Sequence, residues 1–236
     1  MWKAPMLGFL LLGLLAPTMF GQIGQQPGAS GSNDVLARHV EGADLEYAST
    51  LQAFSKALLQ AGAPGGIVRT SGCERDGVIH RWQPLGLSLR DVLDGIVKTD
   101  PQYRWSVEDK VINALPVAGE PTLLKTHIGE FRVENVAWAN TALSMLIATP
   151  EVRASLNRLG LTEALKAGAV PLPNPMKAGR IVQCNNVTLR EALNVIARAF
   201  GNAVWFYKER KLILDFVEMT TSNGLELVLE RQMLAK

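Results

Sequence analysis

Two cysteines and three histidines in 236 residues leave little material for the chemistries that depend on them. There is no C-x-x-C pair and no Cys/His cluster, so no metal site is expected. His39, His80 and His127 stand apart, and the three-residue step from His127 to Glu130 places their side chains on opposite faces of a strand. No serine sits in a G-x-S-x-G elbow. The nearest glycine-rich segment, Ala63-Pro64-Gly65-Gly66, lacks the length and the lysine of a phosphate loop. Charge of one sign is lacking too: 24 basic against 22 acidic residues give a net +2, which provides no basic field for nucleic acid. Beyond the first 21 residues no apolar run approaches membrane-spanning length. No catalytic, cofactor-binding or metal-ligating residue is therefore assigned, no cofactor is expected, and the chain reads as non-enzymatic.

What the chain does contain begins with an exported-protein layout. Residues 1–21 carry Lys3, an apolar run from Met6 to Ala16 and small residues towards the end, as in a secretory signal with cleavage after Gly21. Retention as an anchor is the alternative, although the run is short for a bilayer. The expected location is periplasmic or secreted, with no transmembrane segment in the mature chain. Export makes a disulfide between Cys73 and Cys184 permissible; closing about 110 residues, it would stabilise by roughly 4–5 kcal/mol through loop-closure entropy. Two independent thiols are the other reading.

The organising feature is an internal repeat. LSLRDVLDGIVKTDPQYRWSVEDKVINAL at 87–115 recurs as VTLREALNVIARAFGNAVWFYKERKLILDF at 187–216. At an offset of 100, Leu89, Arg90, Leu93, Ile96 and Trp105 meet Leu189, Arg190, Leu193, Ile196 and Trp205. Ser88 with Asp91, and Thr188 with Glu191, have capping-box spacing, with the longer Glu191 the better fit. Leu89, Val92, Leu93, Ile96 and Val97 follow the spacing of one buried helix face, as do Leu189, Ala192, Leu193, Ile196 and Ala197. Two strand-like runs around a charged turn follow each helix.

These residues resemble the short N-terminal domain shared by secretins and TonB-dependent outer-membrane transducers (STN-like). That domain has a small or hydroxyl residue before a Leu-x-x-x-Leu helix, then two strands around a polar turn. The resemblance covers about 30 residues per repeat, without the family's channel or barrel. It implies a docking or signalling role in the periplasm.

In order, the chain is expected to run as a signal peptide (1–21), a flexible leader (22–44), a first STN-like module (45–116), a linker, a second module (122–217) with a helical and Pro-rich insertion, and a tail (218–236). The fold class is α+β, as two tandem small modules, each with helices on one face of a small sheet. The expected elements are a helix over 45–61 ended by Gly62, a break at 64–66, strands at 67–70 and 78–83, a strand over 123–133, helices over 136–148 and over 151–167 with a break near Gly160, an extended loop over 170–179 and a strand at 180–184. The tail reads equally as strand or helix. The expected partners are cell-envelope proteins, which would add a strand to an open edge at the hairpins 103–115 or 203–216.

Several residues bear on possible chemistry. Asp91, Asp94, Glu108 and Asp109 read as caps, helix surface and turn rather than a carboxylate pair. Trp105, Trp205, Phe206 and Tyr207 suit a carbohydrate or peptide platform, against which the matched Trp105 and Trp205 read as equivalent core positions. Arg90 and Arg190, in the first helical turn where the dipole disfavours a cation, are suited to bridging a carboxylate or a partner. An enzyme or glycan-binding protein with a site between the modules is the alternative function.

Overall fold

The computed structural model describes residues 32–40, 45–47, 49–70, 80–82, 86–165, 179–201, 203–208, 211–217 and 227–231. The signal-like segment, Cys73 and the Pro-rich stretch at 170–178 lie outside them. The chain is α+β, and residues 31–236 form one compact unit.

The first described element falls within residues 22–44. Helix α1 (Ser32–Ala37) is followed by Val40, whose N–H donates to the Leu87 carbonyl at 3.1 Å, and Val35, Leu36 and Val40 are buried. The helix expected over 45–61 is a strand, β1 (Leu45–Tyr47), followed by a helix, α2 (Thr50–Gln60). Ser49 sets the division, because its Oγ accepts from the Gln52 N–H at 3.3 Å and starts the helix there. Strand β2 (Gly65–Arg69) includes both glycines read as a break. Next come β3 (His80–Trp82), α3 (Leu89–Thr99), β4 (Tyr103–Glu108) and β5 (Val111–Pro116).

After a 3-10 turn at Thr122–Lys125 the second half supplies β6 (His127–Val136), α4 (Ala139–Ile147) and α5 (Pro150–Leu159). The helix expected over 151–167 with a break near Gly160 ends at that glycine, whose left-handed φ of 61° makes it a C-cap. Residues beyond it form β7 (Leu161–Leu165). The chain then continues through β8 (Arg180–Thr188), α6 (Leu189–Phe200), β9 (Val204–Lys208), β10 (Lys211–Val217) and β11 (Leu227–Arg231). The tail therefore contributes a strand.

The two repeats meet in one seven-stranded sheet of order β4-β5-β2-β9-β10-β11-β7, while β1-β3 and β6-β8 form separate two-stranded sheets. Its centre is buried on both faces. Ile67, Ile112, Ala114, Val204 and Phe206 pack with α2 and α3, whereas Val68, Val111, Leu115, Trp205 and Tyr207 pack with α4 and α6. Burial on both faces explains why β9 reads as a continuous apolar run rather than an alternating one, and β5 likewise but for the buried Asn113.

Strand directions fix how the repeats are related. Both β5 and β9 run parallel to β2, and each is antiparallel to its hairpin mate. The first repeat thus meets β2 through its second hairpin strand, and the second repeat through its first. Carrying β4-β5 onto β9-β10 must reverse strand direction and exchange the faces of the sheet. That exchange puts α3 on one face and α6 on the other. The equivalence extends past the matched sequence: the order β1-α2-β2-β3-α3-β4-β5 recurs as β6-α4-α5-β7-β8-α6-β9-β10, with β1-β3 and β6-β8 both antiparallel. Even the entry into the helix is shared, since Leu89 N–H donates to Arg38 O and Leu189 N–H to Thr126 O, both at 2.7 Å. By this correspondence β7 is the counterpart of β2. Where β2 lies directly beside β5, β7 is parted from β10 by β11, antiparallel to both.

Candidate functional site

Capping comes first, because it aims the helix that carries the rest of the site. Ser88 Oγ accepts from the Asp91 N–H at 3.2 Å and Asp91 accepts from the Ser88 N–H at 3.3 Å. In the second repeat Glu191 accepts from the Thr188 N–H at 2.7 Å, so the longer acid closes the box more tightly. That backbone bond holds the Glu191 carboxyl below the usual glutamate range, against a smaller opposing effect of burial.

One turn further on, each helix presents an acceptor to the matched tryptophan. Trp105 Nε1 donates to Asp94 Oδ1 and Trp205 Nε1 to Asn194 Oδ1, each at 2.9 Å. The surroundings differ. Trp205 is 0% exposed and Asn194 is buried. Beside Trp205 runs β2, with Gly66 as its register partner, and a Cβ on Gly66 would lie 2.0 Å from the indole Cε2. The absence of a side chain at Gly66 is what lets the indole lie there. Trp105 is only half-buried, its acceptor Asp94 is exposed, and the Arg90 guanidinium sits 5.7 Å from the ring centroid. A charged acceptor suits the wet site, whereas a carboxylate in place of Asn194 would be desolvated without a counter-charge.

The exposure of Trp105 follows from the sheet. Among the described residues β4 pairs only with β5, so it forms one edge, and β7 forms the other. The hairpin at 203–216, expected as a second docking edge, has both strands flanked: β9 by β2 and β10, and β10 by β9 and β11. The geometry of the β4-β5 turn identifies the groups that β4 leaves unpaired. Glu108 faces Val111 across two residues, Asp109 and Lys110, with φ of 48° and 68°. Such a turn bonds Glu108 to Val111, and hydrogen-bonded pairs then alternate back along the ladder. Arg104, Ser106 and Glu108 therefore direct their backbone groups to β5, and Trp105 and Val107 direct theirs outward.

The matched arginines separate in role. Arg190 bridges the two repeats: Nη1 bonds Glu108 at the β4-β5 turn, and Nε lies 2.7 Å from Glu120 Oε1. The Glu120 contact is an ion pair whose angle falls outside hydrogen-bond geometry. Burial works against the charge of Arg190, but the two carboxylates outweigh it and its pKa rises. Arg198 lies 3.4 Å from Asp109 at the same turn. Glu120, in the segment read as a linker, had no sequence signal for this contact.

Among the described residues, the other carboxylates, aromatics and histidines singled out in the sequence are not gathered at one point. Asp91 caps α3, Asp94 accepts from Trp105, and Glu108 and Asp109 serve the bridge. Trp205, Phe206 and Tyr207 are buried, so they offer no aromatic platform with Trp105. His39 bonds the Gly86 carbonyl and His127 bonds Asn186 Oδ1 at 2.7 Å. Among the described residues no group of three His, Cys, Asp or Glu could hold a metal, and no helix is long and apolar enough to cross a membrane. Cys184 is a free thiol on β8 facing the core, its pKa raised by burial; Cys73, the other half of the permissible disulfide, lies outside the described residues.

No family model, curated protein or solved structure matches the chain.

Proposed function

We propose that this chain is an exported, non-enzymatic docking module of the cell envelope, which binds its protein partner by adding a strand to β4. The observation that carries the reading is the open edge. β4 stands at the end of the sheet with the N–H and C=O groups of Trp105 and Val107 turned outward. An edge of this kind gains main-chain hydrogen bonds when it accepts a strand, and side-chain contacts along the edge supply the preference. The half-buried Trp105 and Val107 give that edge an apolar face against α3.

The molecule also contains a worked example of the binding mode. β9, the counterpart of β4, takes β2 alongside it in parallel. The capped helix followed by a hairpin around a charged turn, found in both repeats, supports the likeness to the secretin and TonB-transducer short domains, whose periplasmic docking role agrees with the signal-like segment.

Affinity capture from envelope extracts tests the proposal, with wild type compared against Val107→Pro, which removes an outward N–H while leaving the bonds to β5 in place. Wild type should retain an envelope protein, and a folded Val107→Pro chain should lose it. Retention of the same partner by both would refute docking at this edge.

A further inference from the structure

The β4 edge and the β7 edge are complementary. At the internal junction β2, the second strand of the first repeat, lies parallel to β9, the fourth strand of the second repeat, with Gly65 to Arg69 opposite Val204 to Lys208. Among the described residues, the corresponding strands left without an outer neighbour are β7, second strand of the second repeat, and β4, fourth strand of the first. Their directions agree. β7 is antiparallel to β11, which is antiparallel to β10, which is antiparallel to β9, so β7 runs against β2. β4 is antiparallel to β5 and so also runs against β2. β7 and β4 therefore point the same way, and a second chain in the same orientation can set its β4 parallel to the first chain's β7 within one continuous sheet.

We propose that chains associate head to tail through β7 of one and β4 of the next, repeating between molecules the β2-β9 junction found within each. This rests on the reading of β4 as a docking edge and names its occupant as another copy of this chain. Trp105 supports the assignment: its twin Trp205 is fully buried with β2 beside it, and Trp105, with no such strand among the described residues, is only half-buried. The contact joins two different surfaces, so it leaves a free β4 at one end and a free β7 at the other and continues into a ring or an open filament according to its twist.

Sedimentation of the full chain over a broad concentration series supplies the test. Val107→Pro disables the β4 edge. For β7, proline is placed at Thr162 or at Glu163, and the variant whose thermal unfolding is unchanged is used, because successive residues alternate between facing β11 and facing outward. If a proline variant fails to fold, Val107→Lys and Ala164→Lys place a charge on the same edges. Wild type should grow with concentration beyond two chain masses, and each variant should remain at one. An equal mixture of the two variants, each supplying the edge that the other lacks, should reach two chain masses and stop.

Wild type that stays at one chain mass throughout would overturn the proposal, and so would a β7 variant that still self-associates or a mixture that remains monomeric. The capture experiment keeps the two readings apart. A monomeric wild type that loses its envelope partner on Val107→Pro refutes self-association alone, whereas a monomeric wild type whose capture is unaffected refutes both.

Discussion

Trp105 and Trp205 occupy the same place in two copies of one motif and bond acceptors at the same place on the preceding helix, yet one is half-buried and the other sealed. The motif itself does not decide the difference; the neighbouring strand does. β9 has β2 against it, with a glycine to admit the indole, and a neutral Asn194 satisfies the buried N–H. β4 has nothing on that side among the described residues, and there the acceptor is free to be a carboxylate. A repeated unit can thus serve as core in one position and as an exposed edge in the other with few substitutions.

Truncating the two rings should separate them most. Trp205→Ala should cost about 3–5 kcal/mol, as expected of a large buried aromatic, and Trp105→Ala roughly 1–2; urea unfolding of both variants measures the gap, and equal losses would erase the distinction. Filling the space at Gly66 comes next. Gly66→Ala should cost about 1–3 kcal/mol or more, since the new Cβ meets a ring held on all sides, and the loss should shrink in a Trp205→Phe background, a coupling that a double-mutant cycle reads directly.

Exchanging the acceptors sharpens the comparison further. Asn194→Asp should destabilise by about 1–3 kcal/mol at neutral pH, whereas Asp94→Asn should stay within about 0.5 kcal/mol. Burial raises the pKa of a carboxyl at position 194, so its penalty should fall as the solution is acidified and the acid takes up a proton. The opposite sign holds at the second capping box. Glu191 has a folded pKa below its ordinary value, so its stabilisation is complete above the ordinary glutamate range and is lost as pH falls through the folded pKa. Thr188→Ala should cost roughly 0.5–2 kcal/mol, and part of that difference should disappear in acid.

The helix starts, the matched rings and the polar turns were legible because each depends on a few adjacent residues. The shared sheet was not. Gly65 and Gly66 look like a break in sequence, and only the indole of Trp205, some 140 residues on, gives Gly66 a reason to lie inside a strand. Leu161 to Leu165 combines leucine, glutamate and alanine, all good helix formers, and pairing with β11 overrides that preference. The apolar spacing from Leu45 to Leu58 fits one helix until Ser49 is recognised as its cap. At the candidate edge, Trp105 stood out in the repeat. Its exposure followed only from the strand order, and the Arg190 contacts to Glu108 and Glu120 required the two repeats to be brought together.

Amide hydrogen exchange of the dilute, monomeric chain tests the open edge most directly. In β9, with strands on both sides, every amide should be strongly protected. In β4 protection should alternate, slow at Arg104, Ser106 and Glu108 and fast at Trp105 and Val107. Protection of Trp105 and Val107 equal to that of their counterparts Trp205 and Tyr207 would contradict the account, because the β4 edge would then be closed already.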